Sequence, residues 1–337
     1  MKTLAIVLAL ALPSAAMANH SEDIVQNVIQ HHILPGFERL SEQTDRLAEV
    51  AGRSCGTDGA ALRAQYQDAF DAWIAVSHLR FGPTEVDDRA FALAFWPDSR
   101  GATPKALNAL IADEDPIADS VDEYASVSIA ARGFYALEFL LYDPTISTAG
   151  QDGYRCQLIK TVTADIARNA DEILADWEDS YAALLVNVDG SGLYRSEEEA
   201  AQELFKALST GLEFTSDTRL GRPMGTFDKP RPKRSENWRS GRSLRNVYVS
   251  IESLKGLAVA LSDDDPQLAA DLDEAFDGSL DMAEKLDDPI LAGVATPKGR
   301  FRVELLKNSI EQVRNVVRNE LGPSLGVAAG FNAMDGD

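Results

Sequence analysis

Histidine and cysteine are scarce in this 337-residue chain, which holds four of the first and two of the second. A zinc or iron–sulfur centre built on thiolates needs more cysteines than that, so this class is excluded. The histidines, His20, His31, His32 and His78, all lie early. His31 and His32 are adjacent and point to different faces of a helix, so they do not chelate together, and a histidine-rich zinc site is not expected. Positive charge is also short: the formal net charge is -22. Nucleic-acid binding needs a basic footprint and is not expected. Past the first residues no apolar run reaches the length of a membrane helix, so no transmembrane segment is expected. HExxH, GxSxG and the P-loop pattern GxxxxGK(S/T) are all missing.

What is present begins with Lys2, an apolar run from Leu4 to Leu12, Pro13, and Ala16-Met17-Ala18 before Asn19. This is the pattern of a cleavable secretory signal, so residues 1–18 are expected to be removed and the protein to work in the periplasm. In an oxidising compartment an even cysteine count implies a bridge, here Cys55 to Cys156. In the chain-entropy model a loop of that size contributes about 4–5 kcal/mol.

Apolar residues recur at spacings of three and four nearly throughout, and strand-like alternation is scarce. Leu204, Phe205, Leu208 and Leu212 form one such stripe; Leu305, Leu306, Ile310, Val313, Val316, Val317 and Leu321 form another. The spacing predicts helices over 21–51, kinked at Pro35–Gly36, and over 58–80, 103–113, 118–142, 152–183, 196–219, 239–262, 266–287 and 297–321. Ser196 with Glu199 fits a capping box. Thr103–Pro104, Asp265–Pro266 and Thr296–Pro297 each put a capping residue before a proline suited to a first helical turn. Asp189, Gly190, Ser191 and Gly192 mark a junction. The expected architecture is all-α: two up-down bundles, 19–187 and 188–322, with a tail over 323–337. Ala136-Leu137-Glu138-Phe139 is echoed by Gly211-Leu212-Glu213-Phe214, which suggests an internal duplication. A Cys55–Cys156 bridge fits the first bundle if helix 103–113 lies across its end.

Three groups of residues point to chemistry. In Gly133-Phe134-Tyr135-Ala136-Leu137-Glu138, Tyr135 and Glu138 share a helix face within an apolar run. A carboxylate there must be paired, liganded or protonated. The alternatives are an ion pair with an arginine and, with Tyr135, a pair of hard oxygen ligands suited to oxidised iron. The second group is the loop of Arg80 and Phe95-Trp96-Pro97-Asp98, with Glu85, Asp87 and Asp88 as a solvated acidic stretch. The third is a basic run in an acidic protein: Arg219, Arg222, Lys229, Arg231, Lys233, Arg234, Arg239, Arg242 and Arg245. With Ser240 and the start of the next helix it forms an anion site, or it pairs with the acidic first half and locks the halves together.

At these residues the chain resembles the imelysin family, exported bacterial proteins tied to iron-regulated loci and named for an insulin-cleaving metallopeptidase. The resemblance is carried by the proline-broken first helix, Trp96-Pro97-Asp98, the Gly133–Glu138 segment, Thr210-Gly211-Leu212-Glu213-Phe214 with Arg219-Leu220-Gly221, and Trp238-Arg239-Ser240-Gly241-Arg242-Ser243. It implies two helical bundles with a site near their interface. The family pattern is G-x-H-x-x-E; Gly133 and Glu138 match, and Tyr135 stands where the family has histidine. The resemblance thus implies iron or another metal as ligand, with Tyr135 and Glu138 near it. Arg80, Trp96, Asp98, Gly133, Arg219, Ser240 and Arg242 would hold a metal complex or small anion. An iron-uptake partner in the periplasm or outer membrane is a further expectation. Metallopeptidase activity and a purely protein-binding role through Arg231, Lys233 and Arg234 are the alternatives.

Overall fold

The computed structural model describes residues 24–57, 59–188, 192–262 and 264–327. The expected signal segment, the middle of the junction at 189–191 and the end of the tail lie outside these residues. Among the described residues there is no β-strand, only an isolated bridge between Thr226 and Lys229. The fold is all-α, as the periodicity implies.

The first half contains α1 (Leu34–Arg53), α2 (Ala60–Val76), α3 (Ala102–Asp113), α4 (Gly133–Tyr142) and α5 (Asp152–Asp176). The second contains α6 (Glu197–Glu213), α7 (Ser243–Leu261), α8 (Pro266–Leu286) and α9 (Pro297–Val316). α1 packs on α2 and α5, and α4 on α5; in the second half α7 packs on α6 and α8, and α8 on α9. The halves meet where α2 lies against α7. The buried stripe of α1, Phe37, Leu40, Thr44, Leu47 and Ala51, repeats every three or four residues, which is what turns one face of a helix to a core.

The expected kink at Pro35–Gly36 takes the form of a wide turn. Ile29–Ile33 is π-helical, with the Leu34 N–H donating to the Ile29 carbonyl, and Pro35 sits in the first turn of α1, where its missing donor costs nothing. Cys55 and Cys156 are bridged, with Cα atoms 5.1 Å apart. α3 rests on the 129–131 turn and on α4, as an end-capping helix should.

One expected helix is broken, and another is capped differently from the reading. The stretch 118–142 is not one helix: Pro116–Asp119, Val121–Tyr124 and Ile129–Ala131 are separate short turns, and α4 starts only at Gly133. Gly133 opens α4 with φ at +72°. α3 is not capped by Thr103. It begins at Ala102, and the Asp98 carboxylate accepts from the N–H groups of Ala102 (2.9 Å) and Thr103 (2.8 Å). The other caps form as read: Asp265 accepts from Gln267 and Leu268, Thr296 from Gly299, and Ser196 from Glu199. At the other end the chain stays packed beyond 322, with Leu325 and Val327 buried.

Candidate functional site

The segment 236–242 of the second half crosses the boundary and docks on α2 and α4. Two left-handed residues shape it, Asn237 at φ +50° and Gly241 at φ +76°. Its side chains meet the first half one after another. Glu236 takes Tyr135, Asn237 donates to the Tyr66 hydroxyl (3.2 Å), Arg239 pairs with Asp143 (2.7 Å), and Ser240 reaches Glu138. Arg242, almost wholly buried, donates to Asp71 (2.6 Å), to the Gln67 carbonyl and side chain, and to Asn246 (2.7 Å), and lies over the Phe70 ring. Arg245 shares Asp71.

Two buried carboxylates anchor this contact, one from each half. Glu236 accepts from the Tyr135 hydroxyl at 2.5 Å and from Arg219 Nε at 2.8 Å. Arg219 is further held by Thr215, Ser250 and Ser77. Burial, reinforced by the neighbouring Glu236 charge, pushes the Tyr135 phenol well above its usual range, so it stays protonated. Glu138 accepts from the Ser240 N–H (2.9 Å) and hydroxyl (2.7 Å). Burial raises its carboxyl, against the pull of those two bonds and of Arg239. Its partner is thus a serine and a backbone amide rather than an arginine.

These groups border two adjoining cavities that share Trp96 and Tyr135. The first, of about 380 Å³, lies between the halves. Trp73, Phe81, Phe91, Trp96 and Phe214 give it aromatic walls, and Tyr135, Glu236, Arg219 and His78 give it a polar floor. α6 runs into a π-helical stretch, Phe214–Leu220, which re-aims Phe214 and Arg219 toward this space. The second, of about 320 Å³, is bordered by Glu138, Asp98, Trp238, Arg222, Lys233 and Arg234.

The residues read from sequence fall into distinct places. Tyr135, Trp96, Arg219 and Arg80 border the first cavity, though Arg80 is half exposed and paired with Glu85 at 2.6 Å. Asp98 borders the second, with both oxygens taken by backbone N–H groups. Burial would raise its carboxyl, but those donors outweigh burial and hold it below the usual range. Gly133 permits a close backbone approach: a Cβ there would sit 2.2 Å from the Ala92 and Leu93 carbonyl oxygens. Ser240 and Arg242 each reach across to the first half, at Glu138 and Asp71. Tyr135 and Glu138 bond to different partners. Among the described residues no three His, Cys, Asp or Glu side chains converge as a metal cluster.

Sequence reasoning missed Glu236 and Asn237, which precede the Trp238–Ser243 motif directly, and it missed the contact of His32 with His78. Their Nε2 atoms are 3.0 Å apart, with His78 buried and His32 partly buried. Burial lowers His32 to about 4 and, with His32 and Arg219 nearby, pushes His78 well down. The folded protein therefore binds fewer protons here than the unfolded chain. The resulting stability is complete above pH ~6.5 and is lost as pH falls toward 4, on the order of 3 kcal/mol from His32 alone. Urea denaturation between pH 7.5 and 4.5 checks this. A His32→Gln/His78→Gln variant should lose much less stability over that range, and an unchanged slope would refute the assignment.

The fold and cavities define a two-bundle helical protein with a ligand-sized cleft between its halves. The Imelysin family (Peptidase M75) matches residues 33–317, and the chain belongs to that family. It is 23% identical to Iron-regulated protein A of Synechococcus elongatus, over 78% of this chain and 74% of that one. Two crystal structures share the fold. One is an imelysin-like protein from Psychrobacter arcticum 273-4, with TM-score 0.77 and 17% identity over 96% of this chain and all of that one. The other is described as an iron-regulated protein A precursor, from Parabacteroides distasonis, with TM-score 0.74 and 16% identity over 92% and 96% of the two chains.

Proposed function

We propose that this is an exported, iron-linked binding protein that takes an intact iron complex, rather than a bare ion, into the cleft between its halves. The cleft carries the reading: about 380 Å³ of aromatic-walled space to which both halves contribute, at the low end of the usual size for small-molecule sites. The iron link comes from the relatives' names, and export from the signal-like start. A bare ion fits the floor poorly. Tyr135 and Glu236 already bond each other, and a metal taking both oxygens must displace the phenol proton and compete with Arg219. A complex that brings its own ligands needs only walls, donors and charge.

The test uses ferric citrate. Wild-type protein passed through gel filtration with it should retain stoichiometric iron, with quenching of the fluorescence of Trp73 and Trp96. Thr210→Trp, which fills the cleft from α6, should retain none. Tyr135→Phe should bind within a few-fold of wild type. Loss of iron in Tyr135→Phe would favour direct ligation of a bare ion, and equal retention by Thr210→Trp would move binding out of the cleft. Failure of the wild type to retain iron would end the proposal.

A further inference from the structure

The nine cations of the basic run have different fates, and Lys229 and Arg231 form no ion pair among the described residues and lie outside the second cavity. Arg219, Arg239, Arg242 and Arg245 each have a carboxylate partner. Among the described residues Arg222, Lys233 and Arg234 form no ion pair, in a protein with an excess of acid. All three border the second cavity. Arg222 is half-buried, its guanidinium 5.7 Å from the centre of the Trp96 ring, and its Nε is buried with no acceptor. Lys233 lies 5.5 Å over Trp238 at the exposed rim, beside Arg234.

Among the described residues the carboxylates that share the cavity form no ion pair with these cations. Asp98 is held by the backbone N–H groups at the start of α3, and Glu138 by Ser240. Arg239 is the other cation there, and it is spent on Asp143. Burial and the charge of Arg234 both lower Arg222, as expected of like charges without a counterion. Three cations without ion pairs thus border one concave space, and the buried Arg222 Nε is an unused donor; an oxyanion placed among them would satisfy that donor and take charge-assisted bonds from all three.

We infer that this second cavity is a binding site for a small multivalent oxyanion, held by Arg222, Lys233 and Arg234 beside the faces of Trp96 and Trp238. Its chemistry is that of a polycarboxylate or a phosphate. For the identity of the cargo it rests on the proposed binding role: the cavity adjoins the cleft, so the anionic arm of an iron complex reaches it past Trp96.

The site is tested without iron. Calorimetry at constant ionic strength in chloride would measure citrate and inorganic phosphate against wild type, Arg222→Gln and Arg234→Gln. Wild type should bind one or both, and each variant should bind ~10-fold more weakly or worse. The relative strength of the two anions identifies the source. Both variants should melt, without ligand, at or above the wild-type temperature, because neither side chain has an ion pair among the described residues to lose. Binding of neither anion, or equal binding by the variants, would overturn the inference. Ferric citrate separates it from the cleft. If citrate binding depends on Arg222 but no iron is retained, the iron reading falls and the anion site stands. If wild type and both variants retain iron and bind free citrate equally, the anion site falls alone.

Discussion

Gly133→Ala should cost about 3–5 kcal/mol of folding stability, enough to leave much of the chain unfolded at 37 °C. Two effects add. Alanine at φ +72° meets the left-handed penalty of about 1–2 kcal/mol. Its Cβ would also lie 2.2 Å from two carbonyl oxygens, of Ala92 and Leu93, which belong to backbone and cannot swing aside. Gly241 is the control: its φ is +76°, and nothing lies within 4 Å of the added carbon. Gly241→Ala should therefore show the backbone penalty alone. Urea midpoints at unchanged slope measure both. If the two variants are equally stable, steric contact at Gly133 is not what the glycine serves. If the contact is confirmed, the glycine of the motif acts by seating α4 against the Ala92–Leu93 backbone, which fixes where Tyr135 and Glu138 begin.

That result bears on how much the sequence disclosed. Helix positions followed from apolar spacing because burial of one face is a local, periodic demand; α1, α5, α8 and α9 fall close to where the stripes put them. The bridge followed from cysteine count and compartment. The break before Gly133 did not, because Tyr124 and the residues after it keep helical spacing while short turns bury the same side chains. The site was legible in part. Tyr135, Glu138, Arg219, Ser240 and Arg242 stood out as polar groups in apolar or anomalous settings, and all lie in or beside the boundary between the halves. Their partners were hidden. Glu236 and Asn237 look like surface loop residues, and Asp71 is one acid among many in α2's neighbourhood. Only folding brings Glu236 to Tyr135 or His78 to His32, and no spacing rule encodes a contact across that much chain. The basic run illustrates the same limit. Its composition suggested both an anion site and a lock between halves; the folded chain gives Arg239, Arg242 and Arg245 to the lock, and of the cations without an ion pair among the described residues it gathers Arg222, Lys233 and Arg234 on one cavity.

Glu236→Gln should destabilise the protein by about 3–5 kcal/mol, because it leaves the Arg219 guanidinium charged and unpaired in the core. Glutamine keeps the shape and one acceptor, so the loss reports charge rather than packing. Arg219→Met alone should cost a similar amount for the mirror reason, with Glu236 left facing only Tyr135. The double variant Arg219→Met/Glu236→Met should be more stable than either single one, since a buried pair replaced as a unit no longer strands a charge. Additive losses in that cycle would mean that Tyr135, Thr215, Ser250 and Ser77 carry the stabilisation without the ion pair. Coupled losses would show the pair as one unit joining the start of α4, the π-helical end of α6 and the 236–242 segment beneath the cleft. The double variant then separates fold from function. It keeps the walls of Trp73, Phe91 and Trp96 but removes the charged floor, so retention of ferric citrate by a folded double variant would assign binding to the walls and the neighbouring cations, and its loss would assign it to the floor.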